Sequence, residues 1–151
     1  SFVLGGHGDS MVAMLGATEV NGKKINDLVN EGLISKEKLN EIVVRTQKGG
    51  AEIVKYLEKG SAFYAPAASG VEMAECYLKD LKKQLPCAAY LDGEYGTKDI
   101  YAGVPVIIGS GGVEKIVELK LSSEEKKGFA NSIESVRDLF SSAQKIDSDL
   151  K

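Results

Sequence analysis

Apolar residues recur at helical spacing between Leu39 and Leu57, and this periodicity limits the fold more than any other single feature. Side chains three and four positions apart share one face of an α-helix, so this segment predicts a long amphipathic helix with Ser35 as its N-cap. Gly49 and Gly50 interrupt the helix at a cost of about 2 kcal/mol in propensity. We therefore expect either a bend there or the close approach of another backbone.

The remaining segments predict two more helices, several strands and tight turns. Pro66 is typical of the first turn of a helix, and Asn21-Gly22 is typical of a hairpin turn. Strands are expected at 86–91, 104–108 and 117–121. The apolar face of the Pro66 helix would comprise Val71, Ala74, Tyr77, Leu78, Leu81 and Leu85.

The last helix opens with Ser122 and Glu125, which form a capping-box pattern. Its buried stripe would comprise Phe129, Ile133, Val136, Phe140 and Ala143. Taken together, the segments indicate an α+β fold in which long helices pack on an antiparallel meander. We expect one domain over residues 1–151.

Composition excludes several classes of function. The net charge of −3 argues against a basic surface that binds nucleic acid. No apolar run approaches the ~20 residues that span a bilayer, and the start lacks the basic region of a signal peptide. Cys76 and Cys87 fit no metal-binding spacing, so we interpret them as reduced residues of a cytoplasmic protein, with a disulfide as the alternative. No metal site is predicted, although an all-carboxylate site stays open.

His7 is the single histidine of the chain and lies between Gly6 and Gly8. Oxidation of an alcohol needs a base for the hydroxyl proton, and imidazole ionises near neutral pH. A loop histidine can equally cap backbone or face water, and no spacing rule marks this pattern as catalytic. Asp9 is a poor orienting partner, because side chains two positions apart in extended backbone point away from each other. We expect Asp9 and Ser10 to stabilise the loop.

The chain lacks the anchors that dinucleotide chemistry uses. No G-x-G-x-x-G follows a strand, and no Walker-type phosphate loop is present. A carboxylate substrate is best held by a bidentate arginine. The only arginines, Arg45 and Arg137, lie in predicted helices, and we interpret them as surface charges. No cofactor-binding residue is therefore predicted in this chain.

Motifs along nearly the whole chain resemble the lactate and malate dehydrogenase family. They appear in the family's order and are most similar to the bacterial malate dehydrogenase branch that itself resembles lactate dehydrogenases. The motifs are FVLGGHGDSM at 2–11, GGAEIV at 49–54, GSAFYAPAAS at 60–69, PCAAYL at 86–91, GEYG at 93–96, VPVIIG at 104–109 and GGVE at 111–114.

This resemblance implies the substrate-side, C-terminal domain, which in the complete enzyme follows an NAD-binding Rossmann domain. It implies that His7 exchanges a proton with malate or oxaloacetate, and that Ala62 and Pro66 line the substrate and nicotinamide pocket. The family also forms homo-oligomers, either dimers or tetramers. Its nucleotide-binding glycines, substrate arginines and histidine-pairing aspartate all precede the histidine loop. We therefore expect this chain alone to be inactive, and to expose an apolar face where the missing domain would pack.

Two other interpretations stay open. The chain could belong to a lactate or other 2-hydroxy-acid dehydrogenase, because the mobile loop that separates malate from lactate enzymes lies upstream of the histidine motif. It could also be a free-standing, non-catalytic association domain, because cofactor and carboxylate anchors are missing. The intact His7 loop argues against the second of these.

Overall fold

An antiparallel sheet forms the centre of the fold, and helices flank it. The computed structural model describes residues 1–150. The helices and strands, in chain order, are β1 (Val3–Gly5), β2 (Met11–Ala13), β3 (Glu19–Val20), β4 (Lys23–Lys24), α1 (Ile25–Asn30), α2 (Lys36–Gln47), α3 (Gly49–Leu57), α4 (Tyr64–Leu78), β5 (Lys83–Asp92), β6 (Lys98–Gly109), β7 (Gly112–Ile116) and α5 (Ser123–Ile146). The predicted α+β class is confirmed, and the first ten residues, predicted as loop, contain strand β1.

β6 is the central strand of the sheet. It pairs with β5 along most of its length, from Lys83 opposite Ile108 onward. β1 meets β6 where Gly5 lies opposite Gly103, and β7 pairs with the far end of β6. β5, β6 and β7 therefore form an antiparallel meander, whose first two strands were predicted and whose third strand is not the one predicted at 117–121. β3 and β4 form a separate hairpin through Asn21 and Gly22, both at positive φ.

The core lies between one face of this sheet and α5. Every second residue of β5 is buried, and Val104 and Val106 of β6 are fully buried. From α5, Phe129 and Ile133 pack against them, and the Phe129 ring contacts the Tyr95 ring with centroids 5.2 Å apart. This apolar burial is the dominant source of stability.

Cys76 and Cys87 lie in the same core and are free thiols. Burial raises the pKa of the Cys87 thiol, which keeps it protonated and unreactive near neutral pH. The prediction of reduced, structural cysteines is confirmed.

The predicted long helix is divided into α2 and α3. Lys48 ends the first and precedes the second, with φ −91° and ψ 3°. Within residues 1–150, a Cβ added to Gly49 or Gly50 would meet no atom within 4 Å. The glycines thus accompany a bend and not a close backbone approach.

The strand expected at 117–121 is wrong. β7 ends at Ile116, and the following residues are irregular. The Tyr95 hydroxyl donates to the Val117 carbonyl at 2.8 Å and accepts from the Leu119 N–H at 2.9 Å. These backbone groups are satisfied by a side chain instead of a neighbouring strand. The apolar alternation arises because Leu119 and Leu121 pack against the core.

Two predicted apolar stripes extend too far. α4 ends at Leu78, so the last two residues of its predicted apolar face lie outside the helix. Leu81 lies between α4 and β5, and Leu85 belongs to β5. On α5 the buried stripe fades beyond Val136, since the Phe140 side chain is 50% exposed. In both cases apolar residues continue at helical spacing in the sequence beyond the part of the stripe that other elements bury.

α3 and α4 direct apolar side chains into solvent. We call the exposed apolar side of α4 the helical apolar face; it comprises Tyr64, Val71 and Leu78, which are spaced seven residues apart along the helix. Val71 and Leu78 are 69% and 79% exposed, and Cys76 is the buried residue of α4. An exposed apolar face was expected. None of the helices within residues 1–150 is long and apolar enough to cross a membrane.

Glu125 joins the start of α5 to the segment after β2. Its carboxylate accepts hydrogen bonds from the Ser122 N–H at 2.8 Å and the Gly16 N–H at 2.9 Å. The Ser122 hydroxyl in turn accepts from the Glu125 N–H, which completes the predicted capping box. Burial raises the pKa of Glu125, but the hydrogen bonds from Gly16 and Ser122 outweigh it, so the pKa lies below its ordinary value.

Glu125→Ala is expected to lower the free energy of unfolding at pH 7 by about 1–3 kcal/mol, because two N–H groups lose their acceptor. A carboxyl with a lowered folded pKa stabilises the fold above its unfolded pKa of ~4.3. That contribution disappears as pH falls through the folded pKa. In urea unfolding, the difference in stability between wild type and Glu125→Ala should therefore be smaller at pH 3 than at pH 7. Equal effects of Glu125→Ala and the exposed Glu124→Ala at pH 7 would contradict this account.

Candidate active site

His7 lies in a short loop that closes a β-hairpin. Gly5 at the end of β1 pairs with Met11 at the start of β2, and a single 3₁₀ turn spans Gly8–Ser10. His7 has extended backbone angles, φ −98° and ψ 149°, and its side chain is exposed. Among the hydrogen bonds of residues 1–150, none involves its imidazole. The ring is therefore presented to solvent on a backbone fixed at both ends.

Glycine is required at two positions of this loop. Gly5 and Gly8 have φ of +89° and +73°, in the region that side chains disfavour. At Gly5 a Cβ would also lie 2.1 Å from the Ser132 hydroxyl oxygen, whereas at Gly8 it would meet nothing within 4 Å. The two glycines have different roles: Gly5 permits a close contact with α5, and Gly8 permits a turn.

An open cavity of about 380 Å³ lies beside His7. Its walls come from β1, β5, β6 and α5, and they are mainly small or apolar. Residues that line it include Gly6, His7, Met11, Ala88, Tyr101 and Val136. A small substrate could meet the imidazole at this opening.

The two predicted pocket-wall residues lie elsewhere. Ala62 is half-buried in the segment between α3 and α4, and Pro66 is exposed in the first turn of α4, as expected for a helix-starting proline. Neither lines the cavity beside His7. Their predicted role in lining the substrate and nicotinamide pocket stays a prediction.

The charged residues considered from the sequence are not gathered at His7. Asp9 is exposed and makes no hydrogen bond to the imidazole within the described part of the chain. Arg45 forms a bidentate pair with Glu52, with N–O distances of 3.0 and 2.8 Å, which raises the pKa of Arg45 and lowers that of Glu52. Arg137 donates to the Lys98 carbonyl. Both arginines therefore bind partners away from the cavity.

Two residues that hold the His7 loop were not identified from the sequence. Ser132 of α5 accepts a hydrogen bond from the Gly6 N–H at 2.8 Å. Gln47 of α2 donates to the Met11 carbonyl at 2.9 Å. Ser132 falls between Phe129 and Ile133 on the apolar stripe of α5, and a polar residue at such a position is a signal of a buried hydrogen bond.

The described residues 1–150 contain no group of three or more histidine, cysteine, aspartate or glutamate side chains that could hold a metal ion. The titratable groups that line the cavity beside His7 are its imidazole, the Tyr101 phenol and the buried Cys87 thiol. This arrangement suits proton transfer to or from a bound molecule.

The model of the lactate/malate dehydrogenase alpha/beta C-terminal domain matches residues 1–146. The chain belongs to the lactate/malate dehydrogenase family. It is 63% identical to a malate dehydrogenase of Pelagibacter ubique and 54% identical to one of Caulobacter vibrioides, over 99% of this chain in each case. It spans 47% of the length of each of these curated relatives.

Solved structures of the lactate/malate dehydrogenase family share the fold described above. One is the lactate dehydrogenase of Eimeria maxima with NADH and oxamate, which has a TM-score of 0.91 and 42% identity. The match covers 97% of this chain and 46% of that chain. A solved malate dehydrogenase of Salinibacter ruber also matches, with a TM-score of 0.88 and 42% identity over 99% of this chain and 47% of that chain. The similarity of fold therefore extends to enzymes named for either substrate.

Proposed function

We propose that residues 1–151 form the C-terminal domain of an NAD-dependent malate dehydrogenase of the cytoplasm. The complete protein interconverts malate and oxaloacetate. The observation that carries this proposal is the high identity with two proteins named malate dehydrogenase over nearly the whole chain.

In this proposal His7 transfers the proton. One imidazole nitrogen takes the hydroxyl proton of malate, and in the reverse direction it gives a proton to the carbonyl oxygen of oxaloacetate. An exposed ring beside an open cavity supports this role, since substrate reaches it without displacing other side chains. When bound, NAD supplies the acceptor of the hydride.

The described residues do not provide a site for the dinucleotide. Such sites use a glycine-rich turn between a strand and the N-terminus of a helix in a parallel sheet. Every strand pairing in residues 1–150 is antiparallel, and α1 follows β4 without a glycine-rich turn. We propose that the first half of the complete protein holds NAD and supplies the substrate arginines.

The 151-residue chain alone is expected to bind NADH negligibly and to lack dehydrogenase activity, because it lacks these anchors. The measurement is a titration of NADH fluorescence with the purified chain, beside an assay of oxaloacetate reduction. A saturable fluorescence change at micromolar chain concentrations would contradict the division of roles between the two halves.

We further propose that the helical apolar face packs against another part of the complete protein, which assembles as a homo-dimer or homo-tetramer. Its exposed apolar side chains, such as Val71 and Leu78, support an intramolecular or intersubunit contact. Blotting a fresh lysate of the native source with an antibody to this domain tests whether the chain is part of a longer polypeptide. A band at about twice the mass of this chain supports a two-domain enzyme, whereas a band at 16.1 kDa supports a free-standing association domain.

A lactate or other 2-hydroxy-acid dehydrogenase is the second candidate. The close match of fold to the Eimeria maxima lactate dehydrogenase favours keeping it. Comparing oxaloacetate with pyruvate as substrates of the complete protein distinguishes the two candidates.

A further inference from the structure

One buried side chain connects the C-terminal helix α5 to the loop that carries His7. The Ser132 hydroxyl oxygen accepts a hydrogen bond from the Gly6 N–H at 2.8 Å, across 126 positions of sequence. Ser132 is 2% exposed, and its neighbour Ile133 belongs to the core. The hydrogen bond therefore forms at the edge of the core, where the buried Ser132 side chain limits its exposure to water.

Packing around Gly5 shows how closely this loop is held. A Cβ on Gly5 would lie 2.1 Å from the Ser132 hydroxyl oxygen. A Cβ on Gly103 would lie 2.8 Å from the Gly5 carbonyl oxygen. The backbone of Gly5 thus lies between α5 and β6 with no space for a methyl group on either contact. Both neighbours are long, regular elements, so they provide a rigid support for the loop.

The position of the His7 ring depends on this backbone. Its imidazole makes no hydrogen bond within residues 1–150, so no side chain of the described part orients it. Gly6 directly precedes His7, and its N–H is bound to Ser132. At the other end of the loop, Gln47 holds the Met11 carbonyl. Within the loop, the Ser10 hydroxyl donates a long hydrogen bond of 3.5 Å to the His7 carbonyl. Among the contacts from outside the loop, the bond to the Ser132 hydroxyl is the one next to His7.

We propose that Ser132 is a positioning residue for His7. By binding the Gly6 N–H, it fixes the Cα of His7 at the distance and angle that proton transfer needs. This inference rests on the proposed function. A catalytic group has to be held within about 0.5 Å of its productive position, so a bond adjacent to His7 affects turnover even though Ser132 does not touch substrate.

A purely structural role predicts a different result. In that case Ser132 would contribute to stability by satisfying one N–H group, and its loss would lower the melting temperature without changing the rate of turnover. The positioning role predicts a lower kcat with little change in KM. Proton transfer depends on where the His7 backbone places the ring, whereas substrate binding depends on it less.

Ser132→Ala in the complete protein tests the inference. We expect kcat for oxaloacetate reduction to fall by about tenfold, less than the roughly 10²-fold that a 1 Å misplacement can cost. KM should change by less than about twofold. The matched control is Ser142→Ala, because the exposed Ser142 hydroxyl donates only to the Asp138 carbonyl of its own helix. An unchanged kcat in Ser132→Ala, or an equal fall in Ser142→Ala, would overturn the inference.

Hydrogen exchange gives a second readout that does not depend on activity. Deuterium uptake of the peptide over residues 4–11 should rise in Ser132→Ala and not in Ser142→Ala. In the wild type, the Gly6 amide should exchange more slowly than the Gly8 amide; equal rates would overturn the inference even if Ser132→Ala failed to fold. A wild-type protein without activity on oxaloacetate or pyruvate would refute the proposed function, while exchange would still decide whether Ser132 holds the loop.

Discussion

Replacing His7 with alanine in the complete protein is expected to lower the turnover of malate and oxaloacetate by about 10²- to 10⁴-fold. The substitution removes the imidazole, which accepts the hydroxyl proton in one direction of the reaction and donates it in the other. Steady-state kinetics in both directions is the measurement.

Thermal unfolding provides the control for this variant. The His7 side chain is exposed and its ring makes no hydrogen bond within residues 1–150, so its removal should leave the melting temperature unchanged. A fall in turnover without a fall in stability therefore reports on chemistry. Near-normal turnover in His7→Ala would end the role assigned to this residue.

Phe129→Ala is expected to lower the free energy of unfolding by about 3–5 kcal/mol, the typical cost of removing a buried aromatic ring. Phe129 is 4% exposed, contacts Tyr95 and anchors α5 on the sheet. Urea denaturation of the 151-residue chain at pH 7 measures this loss. Because α5 also carries Ser132, the variant should loosen the His7 loop as well.

Phe140→Ala is the matched control on the same helix. Its ring is 50% exposed, so truncation removes little contact and should cost less than about 1 kcal/mol. Similar losses in the two variants would show that α5 packs on the sheet with a different face from the one described.

Sequence periodicity predicted the elements whose partners lie within the chain. The β6 run at 104–108 and the first half of the α5 stripe are buried as expected, because the surrounding chain covers them. The strand predicted at 117–121 was wrong, because the alternation of apolar and polar residues indicates that every second side chain is partly buried and does not indicate strand pairing. The backbone partner of this segment is the Tyr95 hydroxyl, which lies more than twenty residues away in sequence. No local pattern reveals such a pairing.

The candidate site was predicted only in part. His7 was identified through its motif, because glycines around a histidine do not by themselves indicate catalysis. Ala62 and Pro66 were named by the same resemblance, and their role stays a prediction. Ser132 was missed although its place on an apolar stripe was a signal. Gln47 gave no signal in the sequence, because its hydrogen bond to the Met11 carbonyl depends on how the bend at Lys48 places α2.

We propose above that this chain is the C-terminal, catalytic half of a malate dehydrogenase. The most direct test is to purify the longest polypeptide that carries this sequence and to measure kcat/KM for oxaloacetate and for pyruvate with NADH. We predict efficient reduction of oxaloacetate and a kcat/KM for pyruvate lower by about 10²-fold or more, since a site that hydrogen-bonds a polar group rejects an analogue without it by up to about 10⁴- to 10⁵-fold. Preference for pyruvate, or no reduction of either substrate, would contradict it.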